Sequence, residues 1–212
     1  MVKQTVTKAL GVIGGSFDPV HYGHLRVAIE FAEAFALEQV NLLPCYQSPH
    51  RSLPQANAEQ RLTMLQLAVQ SCAQLAVDNR ELQQQGLSYT VDTLAHIRQQ
   101  LGNDTAIYFA MGADAFTQIE RWKNWQYLFE LANIVVLHRP GYSLTTRSAW
   151  ILERQRVFQG QHHMAGGYYE QAVTALGISA TQIRQLAKQQ QSLRFLLPET
   201  VEHYIQQQRL YQ

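Results

Sequence analysis

Short apolar runs recur along this chain at 9–13, 40–43, 75–77, 106–111 and 134–137, with a weaker sixth at 173–176. Between them apolar positions fall at helical spacing over 25–35, 58–70, 91–101 and 124–131. Alternation of this kind predicts an α/β fold, a parallel sheet of five to six strands with helices on both faces. Asn57 followed three residues later by Gln60 reads as a capping box that starts the second helix. Asn124 reads as the cap of the short helix that follows it. After Leu196-Leu197-Pro198, residues 201–204 read as a closing C-terminal helical segment. In open parallel sheets ligands sit above the carboxyl ends of the strands, so chemistry is sought just after each strand.

Composition narrows the class without changing this picture. The 212 residues show no internal repeat and no linker, so a single domain over 1–212 is expected. A hydrophobic content of 46%, a charged content of 16% and a net charge of +1 describe an ordinary globule. They offer no surface suited to polymeric nucleic acid or a membrane. No segment is long enough to span a bilayer, and the apolar run before Gly14 is too short for a signal-peptide core. Cys45 and Cys72 give neither a disulfide framework nor metal spacing, which fits reduced thiols in a cytoplasm. The glutamine runs at 83–85, 189–191 and 206–208 are expected on solvated helix faces or loops.

The densest chemistry follows the first strand, in Gly14-Gly15-Ser16-Phe17-Asp18-Pro19-Val20-His21-Tyr22-Gly23-His24. A strand, a glycine turn and a helix start in succession point backbone N–H groups and a helix dipole at an anion. Glycine lets the backbone approach a phosphate closely. His21 and His24 are three apart and share a helix face, and histidine can donate to phosphate oxygens. Gly23 removes a side chain from between them. The dinucleotide fingerprint is absent, because the glycines fall at 11, 14 and 15, and no Gly-Lys-Ser/Thr ends a P-loop. A phosphate site is expected here, of neither standard kind.

The loops after the other strands carry readings that remain open on the residues alone. His50 and Arg51 end a proline-rich turn that is either an ordinary surface loop or a cationic rim near a phosphate. Ser88 or Thr90 is placed to cap a helix. Gly112 permits close approach, while Asp114 is either an acceptor for a ribose hydroxyl or a helix N-terminal acid favoured by the dipole. Trp122, beside Lys123, could stack on a flat ring, and Trp125 is assigned to packing. Arg139 is a phosphate contact or a surface ion pair. Ile178-Ser179-Ala180-Thr181 opens a last helix, with Arg184 one turn on from Thr181, which is either a normal capped helix or a second anion site.

Taken together, Gly14-Gly15-Ser16-Phe17-Asp18-Pro19, His21-Tyr22-Gly23-His24 and Ile178-Ser179-Ala180-Thr181-Gln182-Ile183-Arg184 resemble the H-x-G-H nucleotidyltransferase superfamily. Within it the chain is similar to bacterial nicotinate mononucleotide adenylyltransferases, from about Gly14 onward and most loosely over 143–170. The resemblance implies a Rossmann-like sheet and transfer of AMP from ATP to nicotinate mononucleotide, with pyrophosphate leaving. It implies catalytic roles for His21, His24 and Arg184. It places ATP on Gly14, Gly15, Ser16, Phe17, Gly112, Asp114, Ile178, Ser179 and Thr181, and the mononucleotide on His50, Arg51, Thr90, Trp122, Lys123 and Arg139. Mg²⁺ is expected to travel with ATP, since no carboxylate cluster is visible to hold it. Ser48 and Ala180 depart from the family's pattern, the latter removing one hydroxyl from the second motif. Alternatives are nicotinamide mononucleotide or phosphopantetheine as acceptor, a non-catalytic nucleotide sensor, and an NAD-dependent oxidoreductase, which the missing fingerprint disfavours.

Overall fold

A computed structural model describes residues 8–50, 52–141 and 148–212. The chain begins with β1 (Lys8–Gly15), α1 (Tyr22–Ala34), β2 (Gln39–Pro44), α2 (Ala58–Val69) and β3 (Leu75–Val77). It continues through α3 (Arg80–Gln84), α4 (Thr90–Leu101), β4 (Thr105–Gly112) and α5 (Ala113–Phe116). Two 3₁₀ turns, Ile119–Arg121 and Trp125–Tyr127, lead to α6 (Leu128–Leu131) and β5 (Asn133–His138). Then come α7 (Ala149–Leu152), β6 (Tyr168–Ala172), α8 (Ala180–Lys188) and α9 (Glu199–Gln207).

All six strands are parallel, in the order β3-β2-β1-β4-β5-β6. The strand order reverses between β1 and β4, and there the loops part into a crevice above the carboxyl ends. The registers bring Gly14 beside Leu43, and Gly112 beside Leu137, at that rim.

The sheet is buried on both faces, as the near-continuous apolar runs require. Successive residues of β4 alternate between them: Ala106, Tyr108 and Ala110 pack with α1, α2, α8 and α9, while Ile107, Phe109 and Met111 pack with α4 and α6. At Gly11 a Cβ would come within 2.7–2.9 Å of Leu37, Val40 and Phe31, so glycine is what lets α1 seat on the central strand.

Most predicted elements are present, and three readings need correction. The sixth strand is Tyr168–Ala172, upstream of 173–176. It is an edge strand whose Tyr168 and Tyr169 are buried while Gln171 and Ala172 lie toward solvent, so it lacks a continuous apolar signal. Residues 124–131 do not make one helix. Asn124 takes a left-handed conformation (φ 48°) and caps nothing with its side chain; a 3₁₀ turn intervenes before α6. Neither Ser88 nor Thr90 caps α4, whose cap is Tyr89 with no side-chain bond; Ser88 Oγ instead accepts from Tyr46 N–H at 3.0 Å. The Asn57–Gln60 capping box is formed in both directions, at 2.9 and 3.0 Å. The glutamine runs are exposed. Among the described residues, no helix is long and apolar enough to cross a membrane.

Candidate active site

At the end of β1 the chain turns through Gly14, Gly15, Ser16 and Phe17, all of which line a large cleft of about 2280 Å³, open to solvent. Phe17 is buried with φ 48°, and its ring lies over Gly15, where a Cβ would stand 3.0 Å from it. The ring in turn meets His24 edge-on at 5.1 Å. His21 and His24 stack at 3.7 Å between centroids. A Cβ on Gly23 would fall 2.9 Å from the His21 ring, so Gly23 admits the stack as well as lining the cleft.

The two histidines are not equivalent. His24 lines the cleft, whereas His21 lies behind it, 5% exposed. Burial holds the His21 imidazole down to about 4, so it is neutral near pH 7 rather than a cation waiting for an anion. The α1 N-terminus is also less open than a bare helix start. Tyr22 N–H donates to the Leu196 carbonyl at 3.0 Å.

Opposite stands the start of α8. Ser179 caps it, accepting from Gln182 N–H at 3.2 Å. Thr181 Oγ1 accepts from Arg184 Nη2 at 3.2 Å, and Arg184 Nη1 donates to the Asp18 carbonyl at 2.7 Å. Thr181 and Arg184 line the cleft; Ile178 and Ser179 do not. Arg139, expected at the mononucleotide site, lines this same cleft and not the recess around Trp122.

A second lobe of about 830 Å³ lies between β1, β4 and α4. It shares Gly14, Gly15, Ser16, Met111, Gly112 and Asp114 with the first, so these residues form a common wall. Asp114 occupies the first turn of α5, which satisfies the dipole reading without removing it from the wall. Thr90 and Trp122 line this lobe and also a smaller recess with His50 and Lys123. His50 and Trp122 lie nearly parallel, 14° apart at 5.8 Å. Lys123 Nζ is bound by the Asp92 carboxylate at 2.8 and 3.1 Å and sits 4.7 Å over the Tyr89 ring. Trp125 packs edge-on against Trp150 and Phe129, as expected. Arg51 lies outside the described residues.

Three residues to which the sequence assigned no part in the site hold this arrangement. Arg61, 1% exposed, donates to the carbonyls of Ser16, Cys45 and Tyr46 at 2.8, 2.7 and 3.2 Å, tying the loops after β1 and β2 to α2. A signal for it existed: Arg61 lies on the apolar face of α2 with Met64, Leu65 and Ala68. The Asp18 carboxylate accepts from the Gln55 and Ala56 N–H groups at 2.8 and 3.0 Å. Glu81 lines the second lobe and accepts from Thr93 Oγ1 at 2.6 Å; burial pushes its carboxyl up. Among the described residues no group of three His, Cys, Asp or Glu side chains could hold a metal ion.

Comparison with known proteins agrees with this geometry. The model of the cytidylyltransferase-like family matches residues 12–186. A Cellvibrio japonicus protein described as a probable nicotinate-nucleotide adenylyltransferase is 43% identical over 206 residues, covering 95% of this chain and 98% of its own. A Pseudomonas aeruginosa protein of the same description is 42% identical over 208 residues, covering 96% and 97%. The nicotinic acid mononucleotide adenylyltransferase of Plasmodium falciparum, solved in complex with NaAD, superposes with a TM-score of 0.71 over 96% of this chain and 97% of its own, at 18% identity, a likeness of fold. The chain therefore belongs to the cytidylyltransferase-like family and, within it, to the nicotinate-nucleotide adenylyltransferases.

Proposed function

We propose that the chain, acting as one domain, transfers the adenylyl group of MgATP to nicotinate mononucleotide, a step of NAD biosynthesis. A 5′-phosphate oxygen of the mononucleotide bonds to the α-phosphorus of ATP. The bond from that phosphorus to the α,β-bridging oxygen breaks, and pyrophosphate leaves with the electron pair. The observation that carries this reading is the pair of lobes meeting at Gly14, Gly15, Ser16, Gly112 and Asp114, with phosphate-type donors in one and a stacking ring in the other. The full-length relatives at about 40% identity support the same reaction.

His24, Thr181 and Arg184 serve the ATP phosphates, with Gly14 to Phe17 supplying the close wall and Ser179 fixing the start of α8. His21, neutral and buried, holds the ring of His24 by stacking. Trp122, His50 and Thr90 take the nicotinate ring; Gly112 and Asp114 meet a ribose at the shared wall. Mg²⁺ enters as part of its ATP substrate, held by phosphates and water, which suits the want of a carboxylate cluster among the described residues. No protein nucleophile is needed; catalysis is positioning and neutralisation of charge on the leaving phosphates. Substrates of this kind set the activity in the cytoplasm.

The test is pyrophosphate release from MgATP with nicotinate mononucleotide, nicotinamide mononucleotide and phosphopantetheine offered separately. Release dependent on the nicotinate form is the expected result. Preference for another acceptor overturns the reading of the Trp122 recess, and ATP binding without release to any acceptor overturns the enzyme.

A further inference from the structure

The Asp18 carboxylate is engaged by three neutral donors. Gln55 N–H reaches Oδ2 at 2.8 Å; Ala56 N–H at 3.0 Å and the Tyr211 hydroxyl at 2.8 Å reach Oδ1. Two of these are backbone groups of the loop after β2. The third comes from a side chain 193 residues away, beyond α9. Burial, with the Asp18 carboxylate next, pushes the Tyr211 phenol up, so it stays a donor at any working pH.

The same carboxylate stands 3.8 Å from Arg184 Nη1, beyond direct hydrogen-bond distance. Nη1 is instead occupied by the Asp18 main-chain carbonyl at 2.7 Å, and Nη2 by Thr181. Arg184 Nε has no hydrogen-bond partner among the described residues. The guanidinium is thus hydrogen-bonded by a carbonyl and a hydroxyl, both neutral, and makes only a long ion pair with the Asp18 carboxylate. That leaves it able to accept an anion in the cleft it lines.

We propose that Tyr211 is a positioning residue for ATP: its hydroxyl saturates the Asp18 carboxylate and thereby keeps that charge from capturing Arg184. Without the phenol, Oδ1 keeps one donor. The carboxylate then finds its best replacement in the Arg184 guanidinium, and the arginine is drawn off the phosphates. This inference rests on the reading of Arg184 as a phosphate contact, and it assigns a function in the ATP site to a segment that neither motif includes.

The test compares the full chain with Tyr211→Phe, Leu210→Ala and Arg184→Ala. It uses steady-state kinetics for each substrate, calorimetric titration with a non-hydrolysable ATP analogue, and thermal melts. Tyr211→Phe should raise KM for MgATP and weaken analogue binding about tenfold, the low end of the scale of one hydrogen bond to a charged group. KM for nicotinate mononucleotide should stay within about twofold of the unaltered chain. Leu210, 8% exposed in the same segment, reports on packing alone, so its alanine variant should melt earlier with analogue affinity retained. Unchanged analogue binding in Tyr211→Phe, with binding lost in Arg184→Ala, overturns the role of Tyr211 and leaves Arg184 standing. Full analogue binding in Arg184→Ala overturns the reading of Arg184 and this inference with it. A parallel rise of both KM values in Tyr211→Phe, or an equal effect of Leu210→Ala on ATP, makes the segment merely structural and overturns the proposal.

Discussion

His21 and His24 lie three residues apart in the sequence, yet the fold gives them opposite environments. His24 faces the cleft beside the ring of Phe17, and replacing it with alanine should lower turnover about 100-fold by removing a preorganised donor. The melting temperature should barely move, because the side chain is only partly buried; turnover equal to the unaltered enzyme removes His24 from the chemistry. His21 makes the opposite prediction. Its folded-state value of about 4 lies below the 6.5 of an unperturbed imidazole, so the unfolded chain takes up the proton first as pH falls. Stability from this group is therefore complete above about pH 6.5 and declines as pH drops toward 4, by about 3 kcal/mol at that point. Urea unfolding at a series of pH values should show a shallower acid limb in His21→Gln than in the unaltered chain. Parallel limbs would mean that His21 is not held neutral. The paired histidines were legible in the sequence because the motif is local. Asp18 was legible only as a member of that motif, since its partners at 55, 56, 184 and 211 are distant in the chain and only folding brings them together.

At the scale of elements, the loops after β1 and β2 form the walls of both lobes, and α2 fixes them through one side chain. Arg61 reaches three loop carbonyls from a position otherwise apolar. Replacing it with methionine keeps much of the packing volume and strips those carbonyls of their donor. The expected cost is about 3 kcal/mol in urea unfolding, because buried carbonyls left unpaired lose most of a hydrogen bond each. KM should rise for both substrates, since Ser16 and the loop of Cys45 and Tyr46 border both binding regions. Loss of stability with both KM values unchanged would show that the loops hold their shape without it. Periodicity found the long elements, α1, α2, α4 and the central strands, where each buried face repeats over several turns or residues. It missed α3 and the break at Asn124, where elements of three to five residues are set by tertiary contacts rather than by pattern. It also misplaced β6, since an edge strand with Glu170 and Gln171 on it carries half the apolar signal of a central one.

For the molecule as a whole, the strand order puts β1 beside β4, and the crevice between their loops is where the two lobes meet. That position was legible from alternation alone, as the place above the strand ends, but the division into two lobes with a shared wall was not. It depends on Gly112 and Asp114 approaching Gly14 to Ser16 across a junction that joins residues nearly 100 apart in sequence. The shared wall has a thermodynamic consequence. A ligand that fills one lobe gives up its translational freedom for that lobe alone, whereas a dinucleotide spanning the wall gives it up once for both. Nicotinate adenine dinucleotide should therefore raise the melting temperature at concentrations at least about tenfold below those at which AMP or nicotinate mononucleotide does so. Thermal melts across a concentration series of the three ligands decide it. If the dinucleotide is no more effective than the better of its halves, the lobes are not occupied together. The geometry would then support one nucleotide site with an unrelated recess beside it, and adenylyl transfer between neighbours would lose its structural basis. If it is more effective, the same experiment on Trp122→Ala should bring the dinucleotide back to the level of AMP, because only the adenylyl half would still find its wall.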